Sequence, residues 1–308
     1  AGNVPVCTAA GEQRYSTAVP DGVGGMIVVW DDARTGDYDI YAQRIDADGN
    51  PLWAADGVVV CNATNIQTQP KAVADGAGGV IVAWSDYRNP TGPDIYIQRL
   101  NSNGAQRWNS AGVAVCTASG QQSQIAITRE GVGGAVLAWR DNRGADADIY
   151  AQRISSLGSA QWAANGLALC SAAGVQSLPQ PIVLSSGYLF VWGDQRFGAG
   201  TEDIFGQRLS SAGLLLWSFN GSLLYSDIGE QTAPVGVSDG FGGALVCWLD
   251  HEPTLPLVRA QRFSSLGTPM WGASGVLVAS INGEQAQPSI AADGSGADMT
   301  AFGSERPR

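Results

Sequence analysis

The chain has 308 residues, 44% of them hydrophobic, and a net charge of −11. An acidic surface lacks the basic footprint that nucleic-acid phosphates require, and a single lysine (Lys71) against 16 arginines offers no polybasic contact to lipid. No run of 18 apolar residues is present, so no helix is expected to insert in a membrane.

Residues 1–8 (Ala1-Gly2-Asn3-Val4-Pro5-Val6-Cys7-Thr8) resemble a stretch found further on, Ala111-Gly112-Val113-Ala114-Val115-Cys116. The whole chain is self-similar in this way. Tryptophans that close an apolar run fall at Trp30, Trp84, Trp139, Trp192 and Trp248, with Phe302 in the sixth place, at steps of 53 to 56 residues. A second series, Trp53, Trp108, Trp162, Trp217 and Trp271, and a third, Gln13, Gln67, Gln122, Gln176, Gln231 and Gln285, keep the same step. A fixed period of this length marks one supersecondary unit repeated in tandem.

The second unit shows the content of each. Pro70–Ala74 reads as a short strand, and Asp75-Gly76-Ala77-Gly78-Gly79 as a hairpin loop of residues that tolerate positive φ. Val80–Trp84 is a continuous apolar run, as expected for a strand covered on both faces. Asp94–Leu100 reads as a third strand and Arg107–Cys116 as a fourth. Four antiparallel strands per repeat and no helical period predict an all-β fold, a six-bladed β-propeller of about 54 residues per blade in one domain over 1–308. Its inner strands are expected to begin near Thr17, Gln69, Ser123, Gln180, Ala233 and Gln287. The last blade would be closed by the N-terminal strand. It also lacks a counterpart of Asp94–Arg99 after Phe302: the natural chain continues, the blade is incomplete, or a neighbouring molecule supplies the strand.

The pattern Trp84-x-Asp86-x-Arg88, Asp94-Ile95-Tyr96-x-Gln98-Arg99, Gly104, Trp108 resembles repeats of secreted bacterial β-propeller proteins. Its Asp-Ile-Tyr core is similar to TolB-type propellers. The turn Asp46-Ala47-Asp48-Gly49 before Trp53 is similar to the Asp-box of sialidase-like propellers, with one residue more between Gly and Trp. The resemblance implies a propeller and a secreted or cell-surface setting, and no activity. A chain opening at Ala1-Gly2 fits signal cleavage.

Residues present in nearly every unit are expected to serve the unit, and sites to lie where units differ. The pairs Asp32/Arg34, Asp86/Arg88, Asp141/Arg143 and Asp194/Arg196 are expected to hold their loops through bidentate contacts, or else to form a charged crown for a sugar or peptide. The glutamine series is placed on the connections that precede the inner strands. There the amides either line the mouth of a channel and bind a polar ligand or satisfy the backbone of the turn. Glu12, Glu230 and Glu284 precede three of them and are not repeated throughout, which makes them candidates for something specific. Asp-rich loops such as Asp37-Tyr38-Asp39 would take calcium if any metal binds, though neither they nor Asp146-Ala147-Asp148 have a known loop spacing. Cys7, Cys61, Cys116 and Cys170 share one repeat position and are expected to be buried thiols. The only histidine, His251, lies between Asp250 and Glu252 in a degenerate fifth unit. A sialidase-type hydrolase would need a tyrosine paired with a glutamate, and Tyr15, Tyr188 and Tyr225 are the tyrosines outside the repeated segments.

The expected function is therefore a non-enzymatic module that binds glycan or protein at a cell surface or in the matrix. A self-assembling subunit associating through the sixth blade is the alternative, and a glycan-acting enzyme dependent on Glu12, Glu230 or His251 the third reading.

Overall fold

The computed structural model describes residues 4–251, 256–278, 285–292 and 299–305. Among these there is no helix. The first sheet is a meander of β1 (Gln13–Pro20), β2 (Met26–Asp32), β3 (Asp39–Ile45) and β4 (Val58–Cys61). The second repeats it with β5 (Gln67–Ala74), β6 (Val80–Asp86), β7 (Asp94–Leu100) and β8 (Val113–Cys116). The third holds β9 (Gln122–Glu130), β10 (Gly134–Asp141), β11 (Asp148–Ile154) and β12 (Leu167–Cys170). The fourth holds β13 (Gln176–Leu184), β14 (Gly187–Asp194), β15 (Asp203–Leu209) and β16 (Ser222–Tyr225). The fifth holds β17 (Gln231–Ser238), β18 (Ala244–His251), β19 (Pro256–Phe263) and β20 (Val276–Leu277). A two-stranded sheet of β21 (Gln285–Ala292) and β22 (Met299–Glu305) follows.

The described residues thus give five four-stranded sheets of the blade type and one pair of strands, where six blades were expected, the last of them short of one strand and closed by the N-terminus. Residues 4–8 carry no strand, so the expected N-terminal closing strand is not formed there, and residues 1–3 lie outside the described residues. The chain divides into two compact units, one of Ala1–Leu137 with Gln152–Leu167 and the other of Ala138–Ala151 with Ala168–Arg308.

The second strand of each sheet follows from its sequence. β6 is buried at every position, and Trp84 at its end is fully enclosed. Residues that are β-branched, apolar and free of charge form a strand only when both faces are covered. In the first unit Ile27, Val29, Val80, Val82 and Trp84 share one cluster, and in the second unit Leu189, Val191, Val246, Trp248 and Phe263 share another. Removing one such tryptophan side chain would cost about 3–5 kcal/mol, transfer and cavity terms together.

The β5–β6 turn shows why glycine recurs. The Asp75 carboxylate accepts the Ala77 and Gly79 amides at 2.7 Å each, which folds the loop back on itself. A Cβ on Gly79 would lie 2.1 Å from the Leu100 carbonyl oxygen, so no larger residue fits.

The inner strands begin earlier than expected, at the repeated glutamine, because each contains a bulge. In β1 and β5 the register slips between Arg14 and Thr17 and between Thr68 and Lys71. The residue at the slip has a left-handed backbone: Tyr15 (φ 50), Gln69 (φ 55), Gln124 (φ 52), Leu178 (φ 49) and Ala233 (φ 51). Positive φ at a residue that is not glycine costs energy, and its recurrence in five sheets makes it a designed feature of the repeat.

Candidate functional site: the corner where β1, β2 and β5 meet

The repeated Asp/Arg pairs form one construction. In the second sheet the Trp84 indole donates to Asp86 at 2.8 Å, and Arg88 donates to both Asp86 oxygens at 2.7 and 2.6 Å. The same guanidinium then donates to the Ala111 carbonyl and to the Cys61 sulfur. Arg34 with Asp32 and Cys7, and Arg196 with Asp194 and Cys170, repeat this, and Arg143 grips Asp141 likewise. Each arginine also lies flat on an aromatic ring: Arg34 on Tyr41, Arg88 on Tyr96, Arg143 on Tyr150 and Arg196 on Phe205. Burial alone would raise the Asp32 carboxyl, but the bonds from Arg34 and Trp30 outweigh it and hold the group below its ordinary range. The five cysteines are free; Cys7 is half-buried and the others buried, and burial pushes the Cys61 thiol up to about 11. Such a thiol is not a nucleophile at neutral pH.

The glutamines lie inside their turns. Gln67, Gln122, Gln176 and Gln231 have no exposed surface, and Gln13 is half-buried. Their side-chain amides donate to carbonyls two to four residues back: Gln13 to Ala9 and Gly11, Gln67 to Thr64 and Asn65, Gln122 to Ala118 and Gly120, and Gln176 to Ala172 and Gly174. Gln231 donates to Gly229 and Asp250. The Gln285 side chain and Glu284 lie outside the described residues.

Among the described residues no group of three or more His, Cys, Asp or Glu side chains is placed to hold a metal ion, and none of the loops named for calcium forms one.

What differs between units converges on one corner of the first sheet. Glu12 is exposed just before β1, and its carboxylate accepts the Tyr38 hydroxyl in a short hydrogen bond. Strand pairing does this: Ala33 donates its amide to the Glu12 carbonyl at 3.0 Å, which lays the β2–β3 loop against the start of β1. Arg14 stands over the Tyr38 ring at 3.6 Å and near the Tyr15 ring at 5.1 Å. Its Nε lies 3.5 Å from the buried Asp31. Asp31 in turn accepts the Thr68 hydroxyl and the Gln69 backbone amide from β5. Burial pushes the Asp31 carboxyl up to about 6, in spite of the bonds from Thr68, Gln69 and Arg14. The bond to Glu12 raises Tyr38 above the ordinary phenol value by favouring its neutral form.

At these repeat positions other units carry uncharged or unlike residues: Thr68, Ser123, Ser177 and Thr232 for Arg14; Ser85, Arg140, Gly193 and Leu249 for Asp31; Pro93, Ala147 and Glu202 for Tyr38. Reading the sequence singles out Glu12 but not its partners, because Tyr38 sits in a repeated segment and Asp31 beside a repeated Asp. A comparison of the variable residue flanking each repeated one would have found them. Beside the corner lies a cleft of about 360 Å³ lined by Tyr15, Ser16, Thr17, Gln69, Pro70 and Lys71.

The other two sequence candidates meet in the second unit. His251 Nε2 lies 2.9 Å from the Thr232 hydroxyl, and the His251 amide donates to the Glu230 carbonyl at 2.8 Å. The nearby Glu202 is buried and accepts from Ser177 and Gln195, and burial raises its carboxyl with the charge of Glu230 adding to the rise.

No protein-family model matches the chain, and comparison with curated proteins yields no match. A solved structure of a protein of unknown function from Dyadobacter fermentans superposes with a TM-score of 0.51 at 8% identity, covering 86% of this chain and 82% of its own, and shows a shared fold. An endo-arabinase from Bacteroides thetaiotaomicron (TM-score 0.45, 13% identity, 89% and 99% covered) and a TolB-type protein from Agrobacterium tumefaciens (0.44, 14%, 88% and 86%) are similar at a lower level. Several further similar structures are named as arabinanases or an arabinofuranosidase. The expectation of a non-enzymatic module is corrected: most of these similar structures are named as arabinan-acting enzymes, and none supports it. The chain is an all-β protein of tandem blade-type sheets, its fold shared with that of the Dyadobacter fermentans protein.

Proposed function

We propose that this protein is a glycan-acting hydrolase, a six-bladed propeller working outside the cell, with Glu12 and Tyr38 as its reacting pair. One observation carries the reading: a phenol hydroxyl bonded to an exposed carboxylate, its ring faced by a guanidinium, built from residues the repeat does not require. The residues suit a two-step displacement. Tyr38 Oη bonds to the anomeric carbon while its proton passes to Glu12. The glycosidic C–O bond breaks on the face opposite Tyr38; the departing oxygen takes a proton from solvent water there, and the hydroxide left is neutralised by the proton Glu12 gives up. Water then attacks the anomeric carbon from that opposite face as the carbon–tyrosine bond breaks, and the proton it loses passes through solvent to the phenol oxygen. Arg14 stabilises the negative charge that develops on the phenol oxygen, and Asp31 positions Arg14. The six-blade count rests on the sixth period in the sequence and on the β21–β22 pair, and the extracellular setting on the resemblance of the repeats.

The test is turnover by the purified chain on a panel of oligosaccharides with reducing-end detection. Tyr38→Phe and Glu12→Gln are each expected to lower kcat by about 10²–10⁴-fold with the unfolding midpoint unchanged. A panel giving no product, or variants as active as the parent, would remove the reading.

A further inference from the structure

We infer that the cleft beside this corner selects an acidic glycan, one whose sugar bears a carboxylate or sulfate, and that Lys71 is the group that reads its charge. The inference rests on the hydrolase reading for the location of the reacting pair, but not for the binding itself.

In a chain of net charge −11, a cationic cleft is the exception to be explained. The only lysine of the chain lines this cleft, exposed on β5. Among the described residues its amine makes no ion pair, although the acidic surface offers many carboxylates. Arg14 stands at the opposite strand. Its Nε is buried and pairs with Asp31 at 3.5 Å, longer than the 2.6 Å of the repeated pairs. Arg14 is thus held between two tyrosine rings and the Asp31 carboxylate, which leaves Lys71 as the cation of the cleft itself. Arg44, Arg99 and Arg262, by contrast, close on Asp21, Asp75 and Asp239 at 2.8–2.9 Å.

The walls fit a sugar. Tyr15 is 54% exposed, forced outward by its left-handed backbone, and presents an aromatic ring for a pyranose face. Ser16, Thr17 and Gln69 supply hydroxyls and an amide. A cleft with one aromatic platform, neutral hydrogen-bonding groups and one lysine amine free of any ion pair among the described residues is complementary to a sugar that carries negative charge, and a neutral sugar would leave that amine without a charge partner.

The experiment uses the full chain and an array of oligosaccharides in three sets, carboxylated, sulfated and neutral, with methyl-esterified oligogalacturonides as uncharged counterparts of the free acids. Binding is read on the Tyr38→Phe protein, so that turnover does not enter. The expected result is at least tenfold tighter binding of one acidic set than of its neutral counterpart, weakening with salt. Lys71→Gln should remove most of the preference while the unfolding midpoint stays within about 1 °C. Lys71→Arg should retain it. Preference for the carboxylated or for the sulfated set identifies which anion is read. Equal binding of acidic and neutral sets, no binding to any, or a preference indifferent to Lys71→Gln overturns the inference. Turnover of neutral glycans alone would leave the hydrolase reading standing and overturn this one; acidic binding without turnover would do the reverse.

Discussion

The first and fourth sheets answer the same local problem in opposite ways. Both place a Trp–Asp–Arg construction at the end of the second strand, Trp30–Asp32–Arg34 in one and Trp192–Asp194–Arg196 in the other, with bond lengths that agree to 0.1 Å at the tightest contact. One residue away they diverge. The first sheet has Asp31 there and draws in Arg14, Tyr38 and Thr68. The fourth has Gly193, and the carboxylate of Glu202 folds inward to fill the space, where a Cβ on residue 193 would lie 1.8 Å from its oxygen. Glu202 is 7% exposed and satisfied by Ser177 and Gln195. One corner keeps a charged network open to a cleft, and the other uses a carboxylate as internal packing. The invariant core of the repeat carries the fold, and the residue beside it decides whether chemistry is on offer.

The largest effect tests what the two sheets share. Asp86→Asn, which breaks the equivalent construction in the second sheet, leaves Arg88 without its charge partner and is expected to cost about 3 kcal/mol of stability in urea unfolding. Loss below about 1 kcal/mol would mean that the pairs are not what holds the sheets.

A second experiment breaks the solution found in the fourth sheet. Gly193→Ala must displace Glu202, with an expected destabilisation of about 1–3 kcal/mol, while the activity assigned to the first sheet is untouched.

The pH dependence breaks the solution found in the first. Asp31 ionises near 6 in the folded chain and near 3.9 when unfolded, so the folded state holds the extra proton between those values. Stability contributed by this group therefore falls as pH rises from about 4 to about 6, and the penalty persists above. Asp31→Asn should flatten that part of the stability profile in thermal unfolding; an unchanged slope would contradict the burial of the carboxyl.

The smallest effect sharpens the contrast. Arg208 is the fourth sheet's counterpart of Arg44 and Arg99, but among the described residues it faces only neutral oxygens, the carbonyls of Ser186, Gly242 and Ser265 and the Ser186 hydroxyl. Burial lowers its pKa accordingly. Ser186→Asp supplies the missing charge at an exposed position and is expected to stabilise by about 0.5 kcal/mol.

Much of this was legible in the residues alone. The step of 53 to 56 between Trp30, Trp84, Trp139, Trp192 and Trp248 dictates tandem sheets, because a side chain of that size recurs only where the same pocket recurs. The Asp-x-Arg pairs were legible too, since two residues of separation put both side chains on one side of a turn. The inner-strand starts were misplaced because a bulge leaves no compositional trace: Tyr15, Gln69, Gln124, Leu178 and Ala233 have nothing in common as residue types. The corner itself was half visible. Glu12 stood out, but its partner Tyr38 lies 26 residues away and meets it only through pairing of β1 with β2, a contact no local pattern announces.

The recurrent bulge has an evolutionary implication. A residue expelled from the hydrogen-bond ladder, with its side chain turned away from the packed interior, answers to neither strand propensity nor core volume. Tyrosine, glutamine, leucine and alanine all occupy this socket in a single chain, at the same small conformational cost. Each sheet thus offers one position that drift or selection is free to rewrite without endangering the scaffold, and a tandem array of such positions is a ready means of acquiring new specificities one module at a time.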